Sequence, residues 1–98
     1  MEVILSQLIR LEPMNKGWTT IKKSFQSNVI PHKGDIILDS VWKADEEPEV
    51  VSVEIHYQEN WCMVHLKPEH LKTDDPAYLK DYVKMTKLHG WNSTLETD

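Results

Sequence analysis

Two carboxylates and an imidazole form the most reactive group of side chains that the predicted strands bring together. If a turn at residues 44–48 aligns the strands on either side, Asp39 lies beside Glu54, and Glu54 lies opposite His65. Such a row could hold a divalent metal ion or support acid–base catalysis by raising a carboxyl pKa. We favour the simpler interpretation, a solvated polar face with one Glu–His pair, because a turn one residue longer or shorter breaks the row.

The standard signatures of other chemistries are missing from the sequence. It contains no His-x-x-x-His, no Cys-x-x-Cys, no glycine-rich phosphate loop and no Gly-x-Ser-x-Gly elbow. The single cysteine, Cys62, cannot form an internal disulfide, and strand alternation turns it towards the core, where a thiol is usually inert. We therefore expect no cofactor, and the sequence favours a protein that is not an enzyme.

A β-hairpin must position most of these side chains. Residues 50–57 alternate between apolar and polar side chains, and residues 61–66 form the return strand. A two-residue turn at 59–60 places Ile55 opposite Val64. In this register, one face of the hairpin collects the aliphatic side chains. A shift by one residue would mix the two faces, so the register is well specified. The opposite face holds Glu54, His56, Gln58, Trp61, Met63 and His65.

The remaining elements follow from local patterns. Residues 2–11 and 18–26 fit both strand and helix spacing, and the early β-branched residues favour a strand for the first segment. A strand is predicted at residues 36–42. Asp and Pro at 75–76 then begin a helix with one apolar stripe, and Gly90 ends it. Because a lone amphipathic helix is seldom stable in water, we predict that it packs on part of the face that carries Trp61 and Met63.

One segment of the sequence has a family resemblance. The run PHKGDII at residues 31–37 combines a proline that fixes a bend, a glycine that permits a tight turn and an aspartate that can bond backbone N–H groups. With the strands that follow, residues 29–67 resemble small SH3-like barrels, including Tudor- and KOW-type modules. Such modules mostly bind peptides, modified tails or RNA through aromatic residues. This sequence offers Trp42 and Trp61 near strand ends and Tyr57 between them. None of them aligns with an aromatic cage, so the resemblance implies no particular ligand.

The chain length and composition limit the architecture. With 98 residues, the chain can build one core but not two. We predict an α+β fold: a small curled antiparallel β-sheet, or a partly open SH3-like barrel, with one C-terminal α-helix. Residues 1–91 form a single domain, and residues 92–98 form a flexible C-terminal tail. No stretch approaches the roughly 20 apolar residues of a membrane span, so we expect a cytoplasmic protein with no membrane partner.

Charge and surface pattern suggest the kind of partner. A net charge of −5 argues against duplex nucleic acid, whose phosphates favour a basic surface. A sheet face that carries Trp and Met must be covered by another element or used for contact. Our leading hypothesis is a non-catalytic binding or adaptor module that contacts a protein or peptide. The predicted contact residues are Trp42, Tyr57, Trp61 and Met63.

Three alternatives accompany this hypothesis. The first is a nucleic-acid-associated accessory domain, since interleaved lysine and tryptophan side chains can hold single strands; its residues would be Trp18, Lys22 and Lys23. The second is a metal-dependent enzyme that uses the row of Asp39, Glu54 and His65. The third is a homodimer that forms through the same sheet face.

Overall fold

The computed structural model describes residues 1–42 and 48–95, apart from the side chain of Met14. Its elements are β1 (Glu2–Leu11), a 3-10 helix (Met14–Lys16), β2 (Trp18–Gln26), β3 (Val50–His56), β4 (Trp61–Leu71) and α1 (Pro76–Leu88). The four strands of the described chain form one open mixed sheet in the order β2-β1-β4-β3. β1 pairs antiparallel with β2 and parallel with β4, which in turn pairs antiparallel with β3.

The α+β class is therefore confirmed, and the two segments with ambiguous spacing are both strands. The expectation of an antiparallel sheet is wrong in one respect, because the central pair, β1 with β4, is parallel. Parallel neighbours need a long connection. Here that connection contains β2, β3 and, between them, residues 29–42, which form no helix or strand and are called the irregular segment.

Alternation along β1 divides the sheet into two faces. The core face carries the odd-numbered residues of β1, which are buried, and the outer face carries the even-numbered ones. The core face continues into β4, whose side chains at Cys62, Val64 and Leu66 are also buried. Burial raises the pKa of the Cys62 thiol. The predicted core position of this cysteine is confirmed.

α1 packs on the core face, so its predicted position on the Trp61 face is wrong. Its buried residues Leu79 and Val83 belong to the same cluster as the buried side chains of β1 and β4. Leu11 at the end of β1 and Leu79 of α1 both lie 3.2 Å from the point where a Cβ on Gly17 would stand. Aliphatic side chains of both central strands line the core face. Packing of α1 on this face therefore buries more apolar area than packing on the outer face would.

Residues 36–42 do not form the predicted strand. Their only ladder contact among the described residues is an isolated bridge between Ile36 and Glu49. Asp39 instead accepts hydrogen bonds from the Val41 N–H at 3.0 Å and from Lys23 Nζ at 2.8 Å. Such side-chain bonds to nearby backbone compete with strand pairing. The residues that carry the resemblance to SH3-like barrels thus include an irregular segment, and the predicted turn at 44–48 falls largely outside the described residues.

The β3–β4 hairpin keeps the predicted faces but not the predicted register. Ile55 pairs with Cys62 rather than with Val64, because the turn contains four residues instead of two. Asn60 in this turn has a φ of 61°, which asparagine tolerates. A shift by two residues preserves the two-residue alternation of side chains. Ile55 and Trp61 therefore lie on opposite faces, as predicted.

The chain after α1 is hydrogen-bonded to β2 and to the irregular segment. Trp91 is buried, and its indole Nε1 donates to Asp39 Oδ1 at 3.3 Å. Lys23 Nζ also donates to the His89 carbonyl oxygen at 3.0 Å. Asn92 forms an antiparallel bridge with Lys22 on the edge of β2. Of the segment predicted as a flexible tail, residues 96–98 lie outside the described residues.

Asp39 should make the stability of the fold sensitive to acid. Burial alone would raise the pKa of this carboxyl, but hydrogen bonds from Lys23, the Val41 N–H and Trp91 outweigh burial and hold the pKa below its usual value. The carboxylate therefore stabilises the folded state at neutral pH, and this contribution is lost as the pH falls below about 4. We expect Asp39→Asn to lower the free energy of unfolding by about 1.5–3 kcal/mol at pH 7.

Urea denaturation of the wild type and Asp39→Asn at a series of pH values measures this effect. The difference between the two proteins should shrink steadily as the pH falls from 5 towards 2. Asp81→Asn, at an exposed position on α1, is the matched control and should follow the wild type throughout. A difference that is the same at pH 7 and at pH 2 would contradict the role given to the Asp39 carboxylate.

Candidate functional site

The outer face of the sheet forms the candidate site. α1 and the segment at 29–42 pack on the core face, so within residues 1–42 and 48–95 no helix or strand covers the outer one. The strand pairings arrange its side chains in rows that cross the sheet from β2 to β3. One row is Lys22, Ser6, His65 and Ser52, and the next is Ser24, Ile4, Met63 and Glu54.

A groove of about 500 Å³ crosses all four strands of this face. Its lining changes from apolar at the β3 end to polar and cationic at the β2 end. Ser6 and His65 contribute polar groups to its middle. In order from β3 to β2, the walls include Val51, Pro68, Met63, Leu8, Thr20 and Lys22.

The structure brings Glu54 and His65 together. Their side chains meet diagonally across β3 and β4, since Glu54 pairs with Met63 and His65 pairs with Ser52. The distance from His65 Nε2 to Glu54 Oε1 is 2.6 Å, and both side chains are accessible to solvent. This contact holds the imidazole at the margin of the groove.

Asp39 does not join this pair, so the predicted row of three does not form. Its carboxylate lies on the other side of the sheet, where it binds Lys23 and Trp91. The row required residues 36–42 to pair with β3 as a strand, and they do not. In the described part of the chain, no group of three or more His, Cys, Asp and Glu side chains could hold a metal ion.

Ser6 gives the face a second chemical possibility that the sequence did not reveal. It neighbours His65 on the adjacent parallel strand, so a serine, an imidazole and the Glu54 carboxylate follow one another across the sheet. Acyl transfer also needs hydrogen-bond donors aimed at the developing oxyanion. The backbone N–H groups around Ser6 lie in the plane of the sheet, between β2 and β4, and do not point above it. The arrangement therefore suits binding better than catalysis.

The predicted contact residues occupy three different environments. Trp61 and Met63 are half-buried on the outer face, and the Trp61 ring stacks on His56 with centroids 5.4 Å apart. Tyr57 is 76% exposed in the turn between β3 and β4. Trp42, however, is only 8% exposed and packs edge-on against Trp91 in the core. Strand alternation does not apply in the irregular segment, so Trp42 is not part of the outer surface.

The residues of the predicted nucleic-acid patch are divided between the two faces. Trp18 is 57% exposed and lies on the outer face with Lys22. Lys23 points to the core face because consecutive strand residues alternate, and its ammonium group binds Asp39. Arg10, opposite Trp18, donates to His70 Nδ1 at 3.2 Å. Of the three predicted residues, Trp18 and Lys22 therefore share the outer face, and Lys23 does not.

A larger cavity of about 660 Å³ lies between α1 and the end of β4. Tyr78 and Met85 of α1 and His70 of β4 contribute to its walls. Val41, on its rim, lies close to residues 43–47, which are not described. We place the candidate site on the outer face, where every side chain that lines the groove is described.

Comparison with known proteins finds no matching family model, curated protein or solved structure. No helix of the described chain is long and apolar enough to cross a membrane. The function is therefore inferred from the geometry of the outer face.

A lysine introduced on the core face should destabilise the protein far more than a lysine introduced on the outer face. Met63 and Val64 are neighbours on β4, but Met63 lies on the outer face and Val64 is fully buried on the core face. We expect Met63→Lys to change the free energy of unfolding by less than about 1 kcal/mol, since the new ammonium group reaches water and lies opposite Glu54. Val64→Lys buries an unpaired charge and should prevent folding.

Circular dichroism and urea denaturation of the two variants measure this difference. Unfolding by both substitutions would show that the outer face is covered. A stable Val64→Lys protein would contradict the assignment of the core face.

Proposed function

We propose that the protein is a non-catalytic binding module that contacts a protein or peptide partner through the outer face of its sheet. The observation that carries the proposal is the groove across this face, whose walls combine apolar side chains with polar groups. Contact surfaces of proteins likewise combine apolar area with polar groups.

Three apolar side chains supply most of the apolar area of the groove. Met63 and Leu8 lie on the two central strands, and Val51 on the edge strand is 43% exposed. A partner that covers them removes apolar surface from water, which contributes about 25 cal/mol for each Å². Methionine adapts its flexible side chain to different partners, which suits a contact surface.

Trp61 and Tyr57 extend this surface towards the β3–β4 turn. The indole Nε1 of Trp61 donates to Glu59 Oε2 at 2.9 Å, and its ring lies against His56. These contacts fix the ring before a partner arrives, which reduces the entropy lost on binding. Tryptophan and tyrosine are frequent among residues that dominate binding energy.

Peptide selection followed by measurement of affinity tests the proposal. Peptides selected from a random display library on the immobilised wild type should bind in isothermal titration calorimetry. We expect Met63→Lys and Trp61→Ala to weaken this binding at least about tenfold, since each removes a contact at the centre or margin of the outer face. Tyr78→Ala removes an exposed aromatic ring from α1 and should leave the affinity unchanged.

Two results would contradict the proposal. In the first, the library yields no peptide that binds the folded protein. In the second, the selected peptides bind Met63→Lys and Trp61→Ala as tightly as the wild type but lose affinity for Tyr78→Ala. The second result would move the binding site to α1.

A further inference from the structure

We infer that the groove on the outer face binds an extended peptide segment of about four or five residues, apolar at one end and carrying a carboxylate at the other, and that Lys22 binds the carboxylate. This inference rests on the proposed function and specifies the ligand of the same site.

The length of the segment follows from the geometry of the sheet. Adjacent strands lie about 4.8 Å apart, so the groove spans about 14 Å between β3 and β2. An extended peptide rises by about 3.3 Å for each residue. Four or five residues therefore reach from Val51 and Pro68 at one end to Lys22 at the other.

Within the described residues, Lys22 is a cation without a partner, in a protein whose net charge is −5. Its side chain is exposed and makes no ion pair or side-chain hydrogen bond there. The described strands place two carboxylates on the outer face, and both are engaged, since Glu2 accepts from Ser24 Oγ at 2.7 Å and Glu54 contacts His65. A carboxylate is the complementary charge for this end of the groove.

Ser6 places a polar group in the middle of the groove. The residue is 7% exposed, and no side-chain nitrogen or oxygen of the described chain is buried without a partner, so water reaches its hydroxyl group in the empty groove. A ligand group with matching hydrogen-bond geometry can replace that water. Because Ser6 lines the groove beside Lys22, its hydroxyl can donate to a peptide carbonyl or to the bound carboxylate.

The arrangement of charges favours a peptide over a nucleic acid. A single strand places a phosphate at every nucleotide and needs cations along its whole path. In the groove, Lys22 is the one lysine or arginine among the described residues, and it stands at one end. His65 is held by Glu54, whose own charge repels a second anion near the β3 end. One carboxylate therefore fits this groove better than a chain of phosphates.

An array of five-residue peptides in which each position is varied tests the inference. Wild-type protein should prefer Asp or Glu at one end of the peptide and apolar residues at the other. We expect Lys22→Glu to reverse the charge preference, so that peptides with Lys at that position bind at least about tenfold better than those with Glu. Lys80→Glu, an exposed reversal of the same charge on α1, is the matched control and should keep the wild-type preference.

The Ser6→Ala variant tests the contribution of the hydroxyl group. It should weaken binding of the best acidic peptide about three- to tenfold without changing which end is acidic. Unfolding midpoints that match the wild type show that Lys22→Glu and Ser6→Ala have kept the fold.

Each other outcome overturns the inference in a recognisable way. Peptides that depend on Met63 but show no acidic preference, or an acidic preference that survives Lys22→Glu, would overturn the ligand class and leave the proposed function standing. An array that retains no peptide would overturn both. Displacement of the peptides by oligothymidylate at physiological salt would assign the groove to single-stranded nucleic acid.

Discussion

The parallel pairing of β1 with β4 is the constraint on which the rest of the structure depends. These two strands occupy the centre of the sheet, and each attaches one outer strand through an antiparallel ladder. Their register puts the aliphatic side chains of both strands on one face, where α1 and the irregular segment bury them. Because side chains alternate, the same register assigns Ser6, His65 and Met63 to the opposite face. The core and the groove are thus two consequences of one pairing.

Short-range patterns in the sequence were enough to predict part of this structure. The faces of the β3–β4 hairpin were predicted correctly although the turn is two residues longer than expected, because a shift of two leaves the alternation intact. The N-cap at Asp75, which accepts from the Ala77 N–H at 3.0 Å, marked the start of α1. Both signals involve residues that lie close together in the chain, where local geometry dominates.

Long-range contacts account for the errors. Nothing in the composition of β1 reveals that its parallel partner lies about sixty residues later. The local sequence therefore does not indicate on which face of the sheet α1 packs. The predicted strand at 36–42 has the right residue types, but Asp39 binds Lys23, Val41 and Trp91 and holds the segment in an irregular path. Trp42 follows that path into the core, where its indole lies 3.4 Å from the Gln7 side-chain oxygen.

The residues of the candidate site also divide into those that local sequence patterns place and those that long-range strand pairing places. Trp61, Met63, Glu54 and His65 were predicted to share a face because one hairpin contains them all. Ser6, Leu8 and Lys22 complete the groove from β1 and β2, and only the pairing of β1 with β4 brings them to the hairpin. The binding surface is therefore a property of the assembled sheet.

Backbone NMR of the isotopically labelled protein, titrated with the best peptide from the array, tests the central claim most directly. If the outer face is the binding surface, the amide shifts that move most belong to Ser6, Lys22 and Met63, while those of Leu79 and Val83 in α1 stay in place. Shifts that move mainly in α1, beside Tyr78 and Met85, would place the ligand in the cavity between α1 and β4 and contradict the account.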